Sequence, residues 1–381
     1  MTEYAVKDIA PDSYFSEPLY LDERFVLLAP EMRFTGALRK LLKQWDFPVV
    51  LSGGEPRLEF TATPGGAGCG LLDRSFGALD QDRIKRAEAL FQDFHQYTEA
   101  LFTHIAIKGT VSFAAVSEKI QNIREEVKEN HRFLLRVIRG SPTSNSMGFL
   151  ATHAVISAII SIIIGNHLKL PGHRINELGV AALLHEAGMV KVPSQLYMAK
   201  RVLSPQDRKI ILNHPVYSYN ILKSCDFPIA VSVAALEHHE RENGAGYPRK
   251  LTGDKITLYA KIIAVACSYE AMTSSRPHKD ANDGYTGMMD LLKNVGKQYD
   301  DTVVRALVYS LSIYPIGLYV LLSDGTKGQV VDVNPENPKY PVVQVFGKLT
   351  PDGKNSILET SAAGVSIARP LLRKEIDIRS P

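Results

Sequence analysis

Apolar residues recur at every third or fourth position along two stretches of the chain, which is the spacing of one face of an α-helix. The first stretch runs from Ile84 to Ile105, and the second runs from Phe113 to Val137, after Lys108-Gly109. This spacing predicts two long helices. They fit a helical connector that dimerises or relays a signal, and they fit equally well two helices that pack on the next domain.

The helical pattern continues from Ser141 to about Pro315 and predicts a compact all-α domain. Ser204-Pro205-Gln206-Asp207 supplies an N-cap, a proline at the first helical position and an acid at the third. The apolar run Val155–Ile164 is shorter than the roughly 20 residues that cross a bilayer, so we expect a buried core helix. The predicted segments are 143–169, 173–188, 205–223, 229–241, 257–274, 284–296 and 300–313.

Both ends of the chain alternate short apolar runs with turn residues, which is typical of strands. Near the N-terminus only Thr35 to Trp45 has a helical pattern, and Asp324-Gly325 near the C-terminus predicts a hairpin turn. We therefore predict an α+β multidomain protein with a central helical bundle. Its parts are a small N-terminal α/β or mostly β module (1–75), a helical connector (76–140), the all-α domain (141–315) and a β-rich extension (316–381).

Composition excludes several classes of protein. Of 381 residues, 45% are apolar and 22% charged, as in globular proteins, and the net charge of +3 gives no reason to expect DNA, RNA or an anionic membrane as partner. Cys69, Cys225 and Cys267 have no CxxC spacing, so a reducing compartment is expected. The first residues contain no apolar signal segment. We expect a cytoplasmic protein.

Histidine is distributed unevenly, because eight of the 11 lie between His153 and His278. A single one, such as His167 or His173, is explained most simply as a partly buried side chain. The set is different, since intervals of 32, 29 and 24 residues put its members on different helices, as in a bundle that aims ligands at one centre. Nitrogen and oxygen ligands of this kind suit iron, manganese, zinc or cobalt. The candidate ligands are His153, His185, Glu186, His214, His238 and His239.

Four motifs resemble the HD-GYP family of metal-dependent phosphodiesterases, a branch of the HD superfamily, over residues 145 to 315. They are ALLHEAGMVKVP ending at Pro193, HP at 214–215, HHERENGAGYP at 238–248 and SSRPHK at 274–279. The resemblance implies an all-helical domain that hydrolyses the bacterial second messenger cyclic di-GMP to the linear dinucleotide or GMP. It also implies two divalent metal ions, iron or manganese first and zinc, cobalt or nickel as alternatives.

The same resemblance implies roles for individual residues. His185 and Glu186 correspond to the catalytic pair that helps to hold a metal-bridging hydroxide. Gly246 and Tyr247 of the signature loop, with Arg276 and Lys279, correspond to contacts with the substrate and its phosphates. The metal ligands would be His153, His185 and Glu186 for one ion and His214, His238 and His239 for the other, with Cys267 at the position of a further ligand.

The chain departs from the family pattern at four positions. Glu186 replaces the aspartate of the naming pair, Cys267 replaces a metal-binding aspartate, and Met189 replaces a lysine near the substrate. Phe149 stands where three-metal members carry a glutamate, so no third metal is expected. These departures leave one alternative open, a degenerate relative that binds cyclic di-GMP or a signalling-protein partner without turnover. A third possibility is a phosphohydrolase of another nucleotide, as elsewhere in the HD superfamily, but the loop RENGAGYP argues against it because the resemblance assigns that loop to the cyclic dinucleotide branch.

Overall fold

The computed structural model describes residues 2–10, 13–17, 19–20, 26–28, 33–44, 48–57, 78–138, 146–274, 283–349, 355–371 and 375. The chain divides into two compact units, residues 1–70 and 71–381.

The first unit is a small α/β structure with one helix and two sheets among its described residues. A four-stranded sheet has the order β1-β6-β3-β4, and a three-stranded sheet has the order β5-β2-β7. Phe15, Leu19, Phe34 and Val50 are buried in its core. Its elements are β1 (Thr2–Ala5), β2 (Ser13–Phe15), β3 (Leu19–Tyr20), β4 (Val26–Leu28), β5 (Arg33–Phe34), α1 (Gly36–Gln44), β6 (Val49–Ser52) and β7 (Pro56–Arg57).

The second unit begins with the two long helices that the apolar period predicts, α2 (Ala78–Lys108) and α3 (Phe113–Val137). They are separated at Gly109, whose φ of +71° is a conformation that favours glycine. Ser112 then caps α3 by accepting a hydrogen bond from the Ala115 N–H. The apolar faces of both helices are buried in the same core as the bundle that follows. A dimer through this connector stays a prediction.

The bundle is built around α4 (Ser146–His167), which packs against α2 and α3 and against three later helices. By length and hydropathy α4 would suffice to cross a membrane, but 89% of its most apolar stretch is buried inside the protein. It is therefore a core helix, as the sequence predicts. The later helices are α5 (Gly172–Leu184), α6 (Ser194–Tyr197), α7 (Pro205–Ile211), α8 (His214–Ser224), α9 (Ile229–Glu237), α10 (Leu258–Thr273), α11 (Gly284–Lys293) and α12 (Asp301–Leu311).

Two predicted helices end differently from the pattern in the sequence. The segment 173–188 is helical only to Leu184, and a 3-10 turn follows at Ala187–Lys191. The segment 205–223 is two helices, α7 and α8, because Pro215 has no N–H with which to continue the α7 hydrogen-bond ladder. The capping box predicted at Ser204 and Asp207 is present at the start of α7. Both differences lie directly beside candidate ligands.

The chain ends in a five-stranded antiparallel sheet of order β11-β10-β9-β8-β12. Gly325, at φ +82°, forms the predicted hairpin turn between the first two strands. Arg132 of α3 pairs with Asp332 at 2.8 Å, and Arg136 donates to the Val331 carbonyl, so this sheet is fastened to α3. The strands are β8 (Tyr319–Leu322), β9 (Lys327–Asp332), β10 (Val342–Leu349), β11 (Asn355–Glu359) and β12 (Ile367–Pro370).

Candidate metal centre

Six of the seven predicted metal ligands lie together inside the bundle, although they come from four different parts of the chain. Their ligand atoms form two groups, each with all atoms within 4.8 Å of one another. We call them the first group and the second group. The first group is His153, His185 and Glu186, and the second group is Glu186, His214, His238 and His239.

Three of the histidines are held in the same way by the main chain. Nδ1 of His185 donates to the Ala182 carbonyl at 2.6 Å, Nδ1 of His214 to Ile211 at 2.8 Å, and Nδ1 of His238 to Ala235 at 2.8 Å. A carbonyl oxygen only accepts hydrogen bonds, so the proton of each neutral ring lies on Nδ1. The lone pair of Nε2 is then directed into the centre, as metal ligation requires.

The sequence explains why these carbonyls are free to accept. The last carbonyls of a helix have no partner within it, and His185 and His238 directly follow the ends of α5 and α9. Before α8, Pro215 cannot donate to the carbonyl four residues earlier, which belongs to Ile211. Pro215 thus leaves the Ile211 carbonyl free to accept the hydrogen bond of His214, the residue before it. Each helix end supplies both a ligand and the group that orients it.

The imidazole nitrogens face each other closely within both groups. Nε2 of His153 is 3.3 Å from Nε2 of His185, and Nε2 of His214 is 3.3 Å from Nε2 of His238. Burial, together with the neighbouring histidines, lowers the pKa of His238 well below its usual value. Burial also lowers the pKa of His185 to about 4, although Glu186 opposes this. Imidazole nitrogens whose lone pairs converge repel one another, and a cation between them removes the repulsion, so this donor set fits divalent metals.

Glu186 is common to both groups and spans them with its two oxygens. Oε1 lies 3.7 Å from Nε2 of His153 and 3.9 Å from Nε2 of His185, whereas Oε2 lies 3.4 Å from Nε2 of His214. The longer arm of glutamate therefore reaches both sides, as a bridging carboxylate must. The residue that departs from the family's aspartate preserves this geometry.

A buried carboxylate that our sequence analysis missed lies behind the first group. Glu270 of α10 is 3% exposed, and its Oε2 accepts a hydrogen bond from Nδ1 of His153. Glu270 lies one helical turn after Cys267, among apolar residues, with no neighbouring histidine in the sequence. The only signal in the sequence was this spacing from a predicted ligand position.

The loop after His238-His239 is closed by two further buried carboxylates, Glu237 and Glu240, each 2% exposed. Glu240 accepts hydrogen bonds from the N–H groups of Arg249 at 2.6 Å and Leu251 at 2.9 Å. Glu237 accepts from Thr257 N–H at 3.0 Å and from the Arg249 side chain at 2.9 Å. These bonds return the chain to the end of α9 and close the loop over the second group.

Tyr247 lies in this loop, and its ring stacks on the imidazole of His239 with centroids 4.6 Å apart. Burial, followed by the nearby Glu186 charge, raises the pKa of Tyr247, so the phenol keeps its proton at neutral pH. Gly246 allows this approach, because a Cβ there would lie 2.5 Å from the main chain of residues 239–241. The predicted substrate contacts Gly246 and Tyr247 thus lie beside the second group.

Ser218 joins the parts of the chain that carry the two groups. Its hydroxyl donates to the His185 carbonyl at 2.7 Å and accepts a hydrogen bond from the Gly188 N–H at 2.8 Å. A Cβ at Gly188 would lie 2.2 Å from the His214 carbonyl oxygen, so only glycine allows α8 to pack this closely. The 3-10 turn after His185 is therefore fixed directly against the helix that begins at His214.

Among the remaining predicted site residues, only Cys267 is part of the chain that the structure describes. Cys267 is buried but belongs to neither group, and its thiol donates to the Ala264 carbonyl at 3.5 Å, so its role as a ligand stays a prediction. Met189 is buried in the apolar core, and Phe149 stacks on Tyr197. His167 stacks on Tyr309, outside both groups. Arg276 and Lys279 lie outside the described residues.

Known proteins resemble this chain in sequence, and the resemblance includes its helical domain. The sequence profile of the HD domain family matches residues 143–303. The chain is 26% identical over 237 residues to a cyclic di-GMP phosphodiesterase of Borreliella burgdorferi, covering 61% of this chain and 62% of that one. It is 28% identical over 267 residues to a cyclic di-GMP phosphodiesterase of Pseudomonas aeruginosa, covering 70% and 64%. The chain thus spans less than two thirds of either relative.

Among solved structures, an HDG"Y"P protein from Bdellovibrio bacteriovorus matches 80% of this chain and 97% of its own, with 15% identity and a TM-score of 0.48. The profile match covers the helical domain, and all six clustered ligands fall within it. The helical domain of this chain is thus similar to the HD domain family over residues 143–303, and its relatives include cyclic di-GMP phosphodiesterases.

Proposed function

We propose that this chain is a metal-dependent phosphodiesterase that hydrolyses cyclic di-GMP to the linear dinucleotide or GMP. The observation that carries the proposal is the convergence of five imidazoles on one buried carboxylate that reaches both ligand groups. Two divalent ions, iron or manganese, fit this donor set of nitrogen and oxygen atoms. Two relatives that are cyclic di-GMP phosphodiesterases support the choice of substrate.

Bound in the two groups, divalent ions supply a water activated for attack and positive charge for a phosphoryl group in its transition state. The residues of the chain supply the rest. His185 and His238 stay neutral because burial lowers their pKa, so their Nε2 lone pairs remain available. Glu186, whose two oxygens reach the two ligand groups, would hold both ions and so help to position the phosphodiester between them.

Hydrolysis breaks one P–O bond, and the oxygen of water joins phosphorus while its proton reaches the leaving sugar oxygen. Tyr247 keeps its phenolic proton and is placed beside His239, so it can donate a hydrogen bond to an anionic substrate. Arg276 and Lys279 remain proposed contacts to the phosphates on the strength of their motif.

The experiment is a chromatographic assay of cyclic di-GMP hydrolysis with protein purified in its native metal, together with elemental analysis. We expect linear dinucleotide or GMP from the wild type, and loss of both product and metal in His185→Ala. His173→Ala is the matched control, because His173 is an exposed histidine at the start of α5 outside both groups.

Three outcomes would contradict the proposal in different ways. Intact substrate with two metals bound and tight nucleotide binding by calorimetry would favour a binder without turnover. Turnover of another nucleotide in a substrate panel would change the substrate. Equal metal content in wild type and His185→Ala would show that the protein does not bind metal at the proposed site.

A further inference from the structure

His153 differs from the other oriented histidines in its position on its helix. His185, His214 and His238 lie at helix ends, where a main-chain carbonyl is free to accept from Nδ1. His153 lies in the second turn of α4, inside a helix that continues to His167. The carbonyls around it are used by the hydrogen bonds of the helix, so the main chain cannot orient this ring.

Glu270 supplies the missing acceptor from another helix. Its carboxylate accepts the Nδ1 hydrogen bond of His153, and both side chains are buried. The bond joins α4 to α10, two helices that pack directly against each other. A carboxylate behind a ligating imidazole fixes the ring and its tautomer, and it makes Nε2 a stronger donor.

The first group needs this support more than the second group does. It contains only His153, His185 and the shared Glu186, whereas the second group contains three histidines besides Glu186. Cys267, the predicted additional ligand, belongs to neither group. Besides Glu186, the negative charge near the first group would then come from Glu270, which contacts the ligand His153 and is not itself a ligand.

We infer that Glu270 is a positioning residue that acts through His153 and controls the affinity of the first group for its metal ion. The second group keeps its affinity without it. This inference rests on the proposed metal site and not on the substrate or on turnover.

The test measures metal binding to the metal-stripped full chain by calorimetric titration with Mn²⁺, with Co²⁺ absorption spectra as a report on coordination. Glu270→Leu removes both acceptor and charge, and we expect one of the two sites to weaken by roughly 10- to 100-fold. Glu270→Gln keeps a carbonyl acceptor without the charge, so we expect a smaller loss. The other site should stay within about twofold, since the hydrogen bond that Glu270 accepts comes from His153, which belongs to the first group alone.

Glu237→Gln is the matched control, because Glu237 is equally buried and hydrogen-bonded but contacts no ligand. It should leave both affinities unchanged. His153→Ala should weaken the same site as Glu270→Leu, and the double variant should lose little more than His153→Ala alone. That non-additivity identifies a residue that acts through the histidine.

Equal weakening of both sites would overturn the inference and assign Glu270 a general structural role. Additive losses in the double variant would also overturn it, because Glu270 would then act without His153. If Glu270→Leu does not fold, the Mn²⁺ affinities of Glu270→Gln and of the control Glu237→Gln are compared instead. Unchanged Mn²⁺ affinity in both Glu270→Gln and Glu270→Asp would contradict the inference. A wild type that binds two ions without hydrolysing cyclic di-GMP would refute the proposed function alone.

Discussion

Helix α4 and the ends of α5 and α9 present histidines to one centre under different constraints. At the helix ends, the main chain fixes the ring of His185 or His238 and sets its tautomer. In the interior of α4, His153 depends on the side chain of Glu270. The difference teaches that a metal site in a helical bundle is assembled from ligands that arise with the fold and ligands that need a partner side chain.

Glu186 is shared by both kinds of histidine, those oriented by the main chain and the one oriented by a side chain. We expect Glu186→Ala to lose both metal equivalents and to lower turnover by on the order of 10³-fold or more, since Glu186 belongs to both ligand groups. Elemental analysis and a cyclic di-GMP assay measure this. Glu186→Asp, which restores the family's residue, should retain metal. Retention of one full equivalent in Glu186→Ala would show that the two groups do not share it.

The pH dependence of the metal-free protein tests the helix-end histidines. Unfolded histidine has a pKa near 6.5, while burial lowers the pKa of His185 to about 4 and that of His238 well below normal. As the pH falls from 6.5 towards 4, the unfolded chain takes up protons that the folded chain does not. The free energy of unfolding should therefore decrease as the pH decreases, by roughly 1.4 kcal/mol per pH unit for each such histidine.

Urea denaturation of chelator-treated protein at several pH values measures this slope. His185→Ala should show a shallower dependence, because one buried neutral histidine is absent. A free energy of unfolding that rises on acidification would mean that these rings are protonated in the folded state.

The loop over the second group can be loosened without touching a ligand. Both oxygens of Glu240 accept main-chain N–H groups, and an amide can replace only one of them. We expect Glu240→Gln to cost about 1–3 kcal/mol of stability, to speed nitration of Tyr247 measured by peptide mass spectrometry, and to raise KM more than it lowers kcat. Metal content should stay at the wild-type value.

Glu242→Gln is the control for this loop, because Glu242 pairs with Lys261 and leaves the bonds to Arg249 and Leu251 intact. Equal nitration rates in Glu240→Gln and wild type would mean that the loop is held by other contacts.

The smallest expected effect concerns the contact between the two groups. Ser218→Ala removes the hydroxyl that bonds both the His185 carbonyl and the Gly188 N–H. We expect a loss of about 1 kcal/mol of stability and a shift of less than tenfold in metal affinity, because His185 keeps its Ala182 partner. Thermal unfolding and Mn²⁺ titration measure these values. Loss of a whole metal equivalent would instead make Ser218 essential to the site.

The sequence predicted the helices well where apolar spacing alone decides them, as in α2 and α3. It failed where one residue ends a regular pattern, as Pro215 does inside the predicted helix 205–223. The β-rich extension was predicted as a whole over residues 316–381, but the apolar runs of β11 and β12 are too short to indicate these two strands individually.

For the site, histidine spacing and motifs indicated six residues that the structure brings together. Glu270 was missed because its partner lies 117 residues away in the sequence, and no local pattern marks such a contact. Partners that meet only through packing of α4 against α10 need the folded structure to be seen.

The carbonyls that orient His185, His214 and His238 belong to the main chain, and substitution at residues 182, 211 or 235 leaves a carbonyl in place as long as the helix end is kept. Side-chain substitutions at these three positions should therefore have little effect on how the three histidine rings are oriented. The orientation of His153 depends instead on the side chain of Glu270, which a single substitution removes. A substitution at residue 270 is therefore expected to alter the first group and to leave the second group intact.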